Sequence, residues 1–307
     1  MKAVRIHSFG DAGVLKLEDV PKPAIGPDEV LVKVAACGVN PVDWKIREGF
    51  MEQMVHYALP LTLGWDVAGT VAETGALVRR FNEGDAVFCR PDTLRNGGYA
   101  EYVAVKTIEL ASAPRSIPLD HAAGIPLASQ AAWMALFEVA GLKPGQKVLI
   151  HGASGGLGTF GVQFAKAAGA YVIGTTSAKN AGLVKSLGAD EIIDHTSEDF
   201  SRKLKGMDVV FDTIGGETQA KSWGVLKKGG VLVSSVGADE KAAAANGVIG
   251  RSFVLNSNGA RLQEISGLVD AGKVTVIIDK VLPLAEAKTA HELSQSGHAK
   301  GKIILNV

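Results

Sequence analysis

The sequence predicts an α/β chain of two parts, a small β-barrel and a doubly wound parallel sheet. Three observations carry this. Gly and Pro punctuate short apolar or alternating runs over roughly the first 115 residues. From about Asp120 onward, strands and helices alternate. Between Val148 and Ala168, an apolar run leads through a glycine-rich turn into a helix. With 307 residues, the chain is long enough for about two domains.

In the first part, Lys2–Ile6, Glu29–Ala36, Asp66–Ala72, Ala86–Cys89 and Tyr99–Val105 read as strands. Pro21-Lys22-Pro23 and Gly26-Pro27 break the chain between the first two. Short, bent strands of this kind suit a barrel. Ala122–Ala140 is Ala-rich and helical in period. Then follow strand Val148–His151, a helix to Ala168, strand Tyr171–Gly174, helix Lys179–Leu187 and strand Glu191–Ile193. Asp208–Phe211 and Val231–Ser234 are two further strands of buried type. A helix Arg261–Asp270 precedes strands Val274–Ile278 and Lys302–Val307, which an amphipathic helix near Leu284–Ser294 joins. From pattern alone, this tail either extends the parallel sheet or returns to the barrel.

Composition excludes several classes. The chain is 47% hydrophobic and 21% charged, and 32 Lys and Arg balance 32 Asp and Glu. No basic excess points to nucleic acid or an anionic membrane. No run approaches the roughly 20 apolar residues of a membrane span, and the start of the chain has no signal-peptide core. Two cysteines, Cys37 and Cys89, cannot build a disulfide framework and form no Cys/His cluster for zinc. They are expected to be reduced, which favours a cytoplasmic location.

The segment His151-Gly152-Ala153-Ser154-Gly155-Gly156-Leu157-Gly158 follows a strand and opens a helix. Glycines let backbone approach a pyrophosphate, and the helix N-terminus offers free N–H groups. The next strand ends in Gly174-Thr175-Thr176-Ser177-Ala178-Lys179-Asn180. NAD sites carry a carboxylate there for the ribose 2′-OH, and this segment has none. Its hydroxyls, amide and ammonium suit a 2′-phosphate, so NADPH is the expected cofactor. The plainer reading is that Lys179 and Asn180 merely start a solvated helix.

The order of motifs now resembles the medium-chain dehydrogenase/reductases. These motifs are Cys37-Gly38-Val39-Asn40-Pro41-Val42-Asp43, Gly64-Trp65-Asp66-Val67-Ala68-Gly69-Thr70-Val71 and Gly97-Gly98-Tyr99-Ala100-Glu101-Tyr102. The glycine turn, Leu187-Gly188-Ala189-Asp190 and Gly301-Lys302-Ile303-Ile304-Leu305 follow them. The resemblance spans the whole chain. It is nearest to the zinc-independent quinone oxidoreductases and alkenal/enone reductases, the zeta-crystallin-like group.

That resemblance implies a GroES-like β-barrel domain formed by residues 1–116 and 258–307, and a Rossmann domain at 117–257. Nicotinamide and substrate would share the cleft between them. It also implies no catalytic zinc, since Asn40 and Trp65-Asp66 stand where zinc-dependent relatives place a Cys and a His-Glu pair. An amide and an indole cannot replace a thiolate and an imidazole. The implied reaction is hydride transfer from NADPH to a quinone or an α,β-unsaturated carbonyl, already activated by conjugation.

By the same resemblance, Asn40 lies near the nicotinamide or its ribose. Ser154, Gly155, Gly156 and Leu157 meet the pyrophosphate, and Thr175, Thr176, Ser177, Lys179 and Asn180 the 2′-phosphate end. His195 packs near the adenosine, Ile214, Val236 and Phe253 reach toward the nicotinamide, and Lys302 toward the phosphates. Lys45 either polarises the substrate carbonyl or hydrogen-bonds the ribose, or is a solvated surface lysine. His56 and Tyr57 line the pocket mouth or pack a loop, Tyr99 is structural, and Asp43 and Asp66 support the site. Relatives often carry Thr where Ala131 stands here, a loss that Ser129 or Gln130 offsets. A homodimer through the apolar edge near Val248–Leu255 is expected. Alternatives are an enoyl-thioester reductase and a non-catalytic NADPH-binding redox sensor or structural protein.

Overall fold

A computed structural model describes residues 1–307 and groups them into two compact units. The first comprises residues 1–130, 256–272 and 276–307. The second comprises residues 131–255 with 273–275. No helix is long and apolar enough to cross a membrane.

The first unit is β-rich. Strands β1 (Lys2–Ile6), β2 (Lys16–Asp19) and β4 (Leu61–Thr62) form a small antiparallel sheet, ordered β2-β1-β4. The long β3 (Glu29–Val39) pairs antiparallel with β5 (Val67–Thr74), β7 (Tyr102–Lys106) and β16 (Lys302–Asn306). Strands β6 (Ala86–Cys89), β8 (Leu110–Ser112) and β15 (Ile278–Pro283) complete that sheet. Two register shifts bend the β3–β5 pairing, which is how a flat ladder curls towards a barrel. Val30, Val32, Val34, Trp65, Val71 and Tyr99 fill its core. The short helix α1 (Pro41–Arg47) begins at Asn40 with Pro in its first turn, where the missing N–H costs nothing.

The second unit is a six-stranded parallel sheet. Strands β9 (Lys147–Ile150), β10 (Tyr171–Thr176), β11 (Glu191–Asp194), β12 (Met207–Asp212), β13 (Leu226–Ser234) and β14 (Ile249–Ser252) lie in the order β11-β10-β9-β12-β13-β14. The order reverses between β9 and β12. Ligands of such sheets bind outside the strand C-termini at this reversal. Leu149, Ile173, Val210 and Leu232 build the core. The central strands are apolar on both faces because helices cover both. Helices α4 (Gly156–Ala167), α5 (Ala178–Ser186) and α7 (Gly216–Ser222) follow β9, β10 and β12.

Three segments depart from the pattern-based expectation. Ala122–Ala140 is not one helix. It contains the end of α2 (Leu119–Ala122), α3 (Pro126–Trp133) and a π-helical stretch at Met134–Val139. Pro126 disfavours helix at Ile125 and can only open a new one. The strand expected at Val274–Ile278 starts only at Ile278, as β15, and the Gln163 amide takes both backbone groups of Thr275, at 2.7 and 3.0 Å. The strand expected from Tyr99 starts at Tyr102, since Tyr99 pairs its backbone with Leu63 and Val4 instead.

Candidate active site

The glycine turn sits at the end of β9, on the reversal point. Gly152 has φ +64°, and a Cβ there would lie 2.7 Å from Thr213 Oγ1. A Cβ on Gly158 would lie 2.1 Å from the Gly152 carbonyl oxygen, so the turn closes only around bare backbone. Gly155 caps α4 with no side chain, which leaves the first-turn N–H groups free. Ser154, Gly155, Gly156 and Leu157 are all half-buried along this turn. Such a cradle fits a pyrophosphate, with Ser154 as an added donor.

At the end of β10, three side chains meet. Thr176 Oγ1 contacts Ser154 Oγ at 2.8 Å, and Asn180 Nδ2 contacts it at 3.2 Å. The two hydroxyls and the amide carry four polar hydrogens, and these two contacts use two of them. The remaining two, on Ser154 and Asn180, are left to donate, while Asn180 Oδ1 is a buried acceptor without a partner. Ser177 caps α5, and Lys179 stands exposed in its first turn. His195, exposed after β11, donates its backbone N–H to Thr176 at 3.2 Å.

Thr175 faces the other way. His151 Nδ1 meets Thr175 Oγ1 at 3.1 Å and its Nε2 meets Ser222 Oγ at 2.9 Å. The Ser222 hydroxyl donates to the Thr218 carbonyl, so Nε2–H must donate and Nδ1 must accept. His151 is therefore a neutral, single-tautomer tie between β9, β10 and α7. Burial holds its pKa down at about 4. The next strands end in exposed Ile214 after β12, exposed Val236 after β13 and half-buried Phe253 after β14.

In the first unit, Asn40, Asp66 and Lys302 form a buried cluster, at 1%, 0% and 2% exposure. Asn40 Nδ2 donates to Asp66 Oδ2 at 2.8 Å. Lys302 Nζ donates to the same oxygen at 3.0 Å and to Asn40 Oδ1. The Lys302 ammonium is thus enclosed by its own unit's carboxylate and amide. Backbone N–H of Asn40 donates to Asp43 Oδ2 at 2.7 Å, and Tyr99 Oη donates there at 3.1 Å. Burial pushes the Asp43 carboxyl up to about 7.

Behind Tyr99 lie two groups that pattern reading missed, His291 and Arg47. His291 Nε2 meets Tyr99 Oη and its Nδ1 meets Arg47 Nη1, both at 3.2 Å. A guanidinium only donates, so Nδ1 accepts and every proton in the chain runs from Arg47 toward Asp43. Arg47 cannot give up its proton, so this chain orients groups and does not conduct protons. Lys45 is half-buried on α1, its Nζ 5.6 Å from the centre of the Trp44 ring. His56 is exposed and Tyr57 buried. Ser129, Gln130 and Ala131 are all buried, and Gln130 Oε1 accepts from the backbone of Asn258 at 3.0 Å.

Comparison with known proteins agrees with this architecture. Residues 26–115 match the alcohol dehydrogenase GroES-like domain, and residues 187–305 match the zinc-binding dehydrogenase family. A 2-methylene-furan-3-one reductase of Solanum lycopersicum is 36% identical over 100% of this chain and 79% of its own length. The chain belongs to the medium-chain dehydrogenase/reductases. Mitochondrial NAD(P)H oxidoreductase RTN4IP1 of Mus musculus is 34% identical over 100% of this chain and 89% of its own. The solved quinone oxidoreductase of Coxiella burnetii superposes with a TM-score of 0.95 at 34% identity, covering 100% and 99% of the two chains. Within this family of NAD(P)H-dependent oxidoreductases, the chain falls in the quinone oxidoreductase and alkenal/one reductase group. Its first unit carries the GroES-like domain, and its six-stranded sheet is the Rossmann sheet.

Zinc, which one matched family name implies, does not fit the donors present. Trp65 Nε1 donates to the Arg95 carbonyl at 3.2 Å, and an indole N–H cannot ligate a metal. Asp66 is already neutralised by Lys302. The Cys37 thiol donates to the Gly98 carbonyl at 2.5 Å, and burial pushes its pKa well up, against the thiolate zinc needs. No three His, Cys, Asp or Glu side chains gather where they could hold a metal ion.

Proposed function

We propose that this reductase uses NADPH to reduce quinones or α,β-unsaturated carbonyls, and does so without zinc. The observation that carries the cofactor choice is the donor-rich, carboxylate-free end of β10. Ser154 and Asn180 each have a polar hydrogen left to donate there, and Ser177 and Lys179 flank them. A 2′-phosphate accepts hydrogen bonds and carries negative charge, so this end favours it over a bare 2′-OH. Bound NADPH supplies the hydride. The glycine turn and the N-terminus of α4 hold the pyrophosphate.

Asn40 presents an amide whose orientation is set from two sides, by Asp66 and Lys302. That pre-orders it for a fixed contact near the nicotinamide ribose. Lys45 carries a positive charge on the same helix, suited to polarising an acceptor carbonyl. A conjugated acceptor needs no Lewis acid, consistent with the unsuitable metal donors. Two buried thiols, Cys37 and Cys89, suit a reducing cytoplasm. The edge strand β14, with exposed Ile249 and with Val254 just beyond it, is the surface we assign to a homodimer, which sedimentation would reveal.

Lys179→Ala tests the cofactor reading. The KM for NADPH should rise about tenfold or more while that for NADH changes little, because a charge-assisted contact is lost for NADPH alone. Equal effects on both cofactors would remove Lys179 from the 2′-phosphate site.

A further inference from the structure

One buried carboxylate holds both loops that expose apolar side chains next to the glycine turn. Asp212 closes β12 and is wholly buried. Its Oδ1 accepts from the backbone N–H groups of Ile214 and Gly215, at 3.0 and 2.9 Å. Its Oδ2 accepts from Gln219 Nε2 at 2.8 Å and Ser234 Oγ at 3.0 Å. All four partners are donors, so a carboxylate suits the position and an amide would present N–H groups to some of them.

The cluster extends through its partners. Ser234 Oγ accepts from the backbone N–H of Val236 at 3.2 Å. Gln219 Nε2 also donates to the Gly237 carbonyl at 2.7 Å, and its Oε1 accepts from the Asp239 N–H at 3.0 Å. Residues 213–215, residues 235–239 and helix α7 are thereby tied into one unit.

From this rigid base, Ile214 and Val236 stand 56% and 45% exposed. They are close to each other and to the turn. A Cβ on Gly215 would lie 2.9 Å from Val236 Cγ2, and a Cβ on Gly152 would lie 3.2 Å from Ile214 Cδ1. Apolar side chains held exposed by a fully satisfied buried network form a surface built to be covered.

We infer that Asp212 and Gln219 are positioning residues for the cofactor: they fix Ile214 and Val236 as an apolar platform for the nicotinamide end of the dinucleotide. This rests on the cofactor reading above and adds the residues that shape that end of the site. Neither positioning residue touches the cofactor.

The test uses the full-length protein with Gln219→Met and Asp212→Asn, and Lys221→Ala on the exposed face of α7 as control. Two quantities are read: backbone hydrogen exchange of the ligand-free protein, and equilibrium binding of NADP⁺. Gln219→Met should speed exchange at 213–215 and 235–239 and weaken NADP⁺ binding, each by about tenfold, as expected when a buried polar cluster is partly unpaired. Asp212→Asn should do the same or more, and Gln219→Met carries the test if that variant does not fold. Unchanged exchange, or faster exchange with NADP⁺ affinity within about twofold of wild type, overturns the platform. A wild type that binds no NADP⁺ overturns the cofactor reading itself, and the platform with it.

Discussion

At the scale of single residues, buried ionisable side chains are engaged by partners far away in sequence. His151 is neutral in the fold because burial lowers its pKa from 6.5 to about 4. Between those values the unfolded chain binds one proton more, so folding stability falls as pH drops through this window. Replacing His151 with Asn removes that titration. Denaturant unfolding from pH 7 to pH 4.5 should show wild type losing up to about 1.4 kcal/mol per pH unit relative to the variant. A difference that stays flat with pH would mean His151 is not held neutral. Lys302 is the second case. Lys302→Met leaves Asp66 buried without its cation and should cost about 3–5 kcal/mol, which Asp66→Asn in the same chain should partly restore. No rescue in urea titrations would argue that the pair is not a unit. The family resemblance singles out Lys302, as a residue directed toward the phosphates. Its engagement with Asp66 was not legible in the sequence, because 236 residues separate them and only the pairing of β16 with β3 brings them together.

At the scale of elements, the glycine turn and α4 show why some of the site was readable. Gly152, Gly155 and Gly158 carry local signals, since each is small where backbone must pass close to backbone or ligand. Gly158→Ala puts a methyl group 2.1 Å from the Gly152 oxygen. The turn must open, and NADP⁺ affinity should fall by about a hundredfold or more, measured by calorimetry. Binding within a few-fold of wild type would show that the turn does not need its present closure. The Asp212 loops were readable only in part. Asp212-Thr213-Ile214-Gly215 has the Asp and Gly of a side-chain-stabilised turn, yet nothing local points to Gln219 or Ser234 as its other partners. Likewise, helical period ran across Ala122–Ala140, while Pro126 broke it and the aromatic contacts of Trp133, Phe137 and Phe164 packed what followed.

At the scale of the whole molecule, strand–helix alternation after Asp120 was sufficient to predict a parallel sheet, and the reversal between β9 and β12 places the glycine turn where such sheets bind ligands. The tail remained open on pattern alone, because short apolar strands suit either sheet. The pairing of β16 with β3 joins it to the first unit. Chemistry at this scale is a matter of what the donors allow. With Trp65 and a Lys302-paired Asp66 in place of metal ligands, dialysis against 1,10-phenanthroline should leave activity unchanged. Loss of activity that added zinc restores would overturn the zinc-free reading. The most direct measurement is the initial rate of NADPH and of NADH oxidation with 9,10-phenanthrenequinone and with a simple enone. The proposed function predicts turnover of at least one acceptor, with kcat/KM at least about tenfold higher for NADPH than for NADH. Tight NADPH binding with no turnover of any quinone or enone would contradict it.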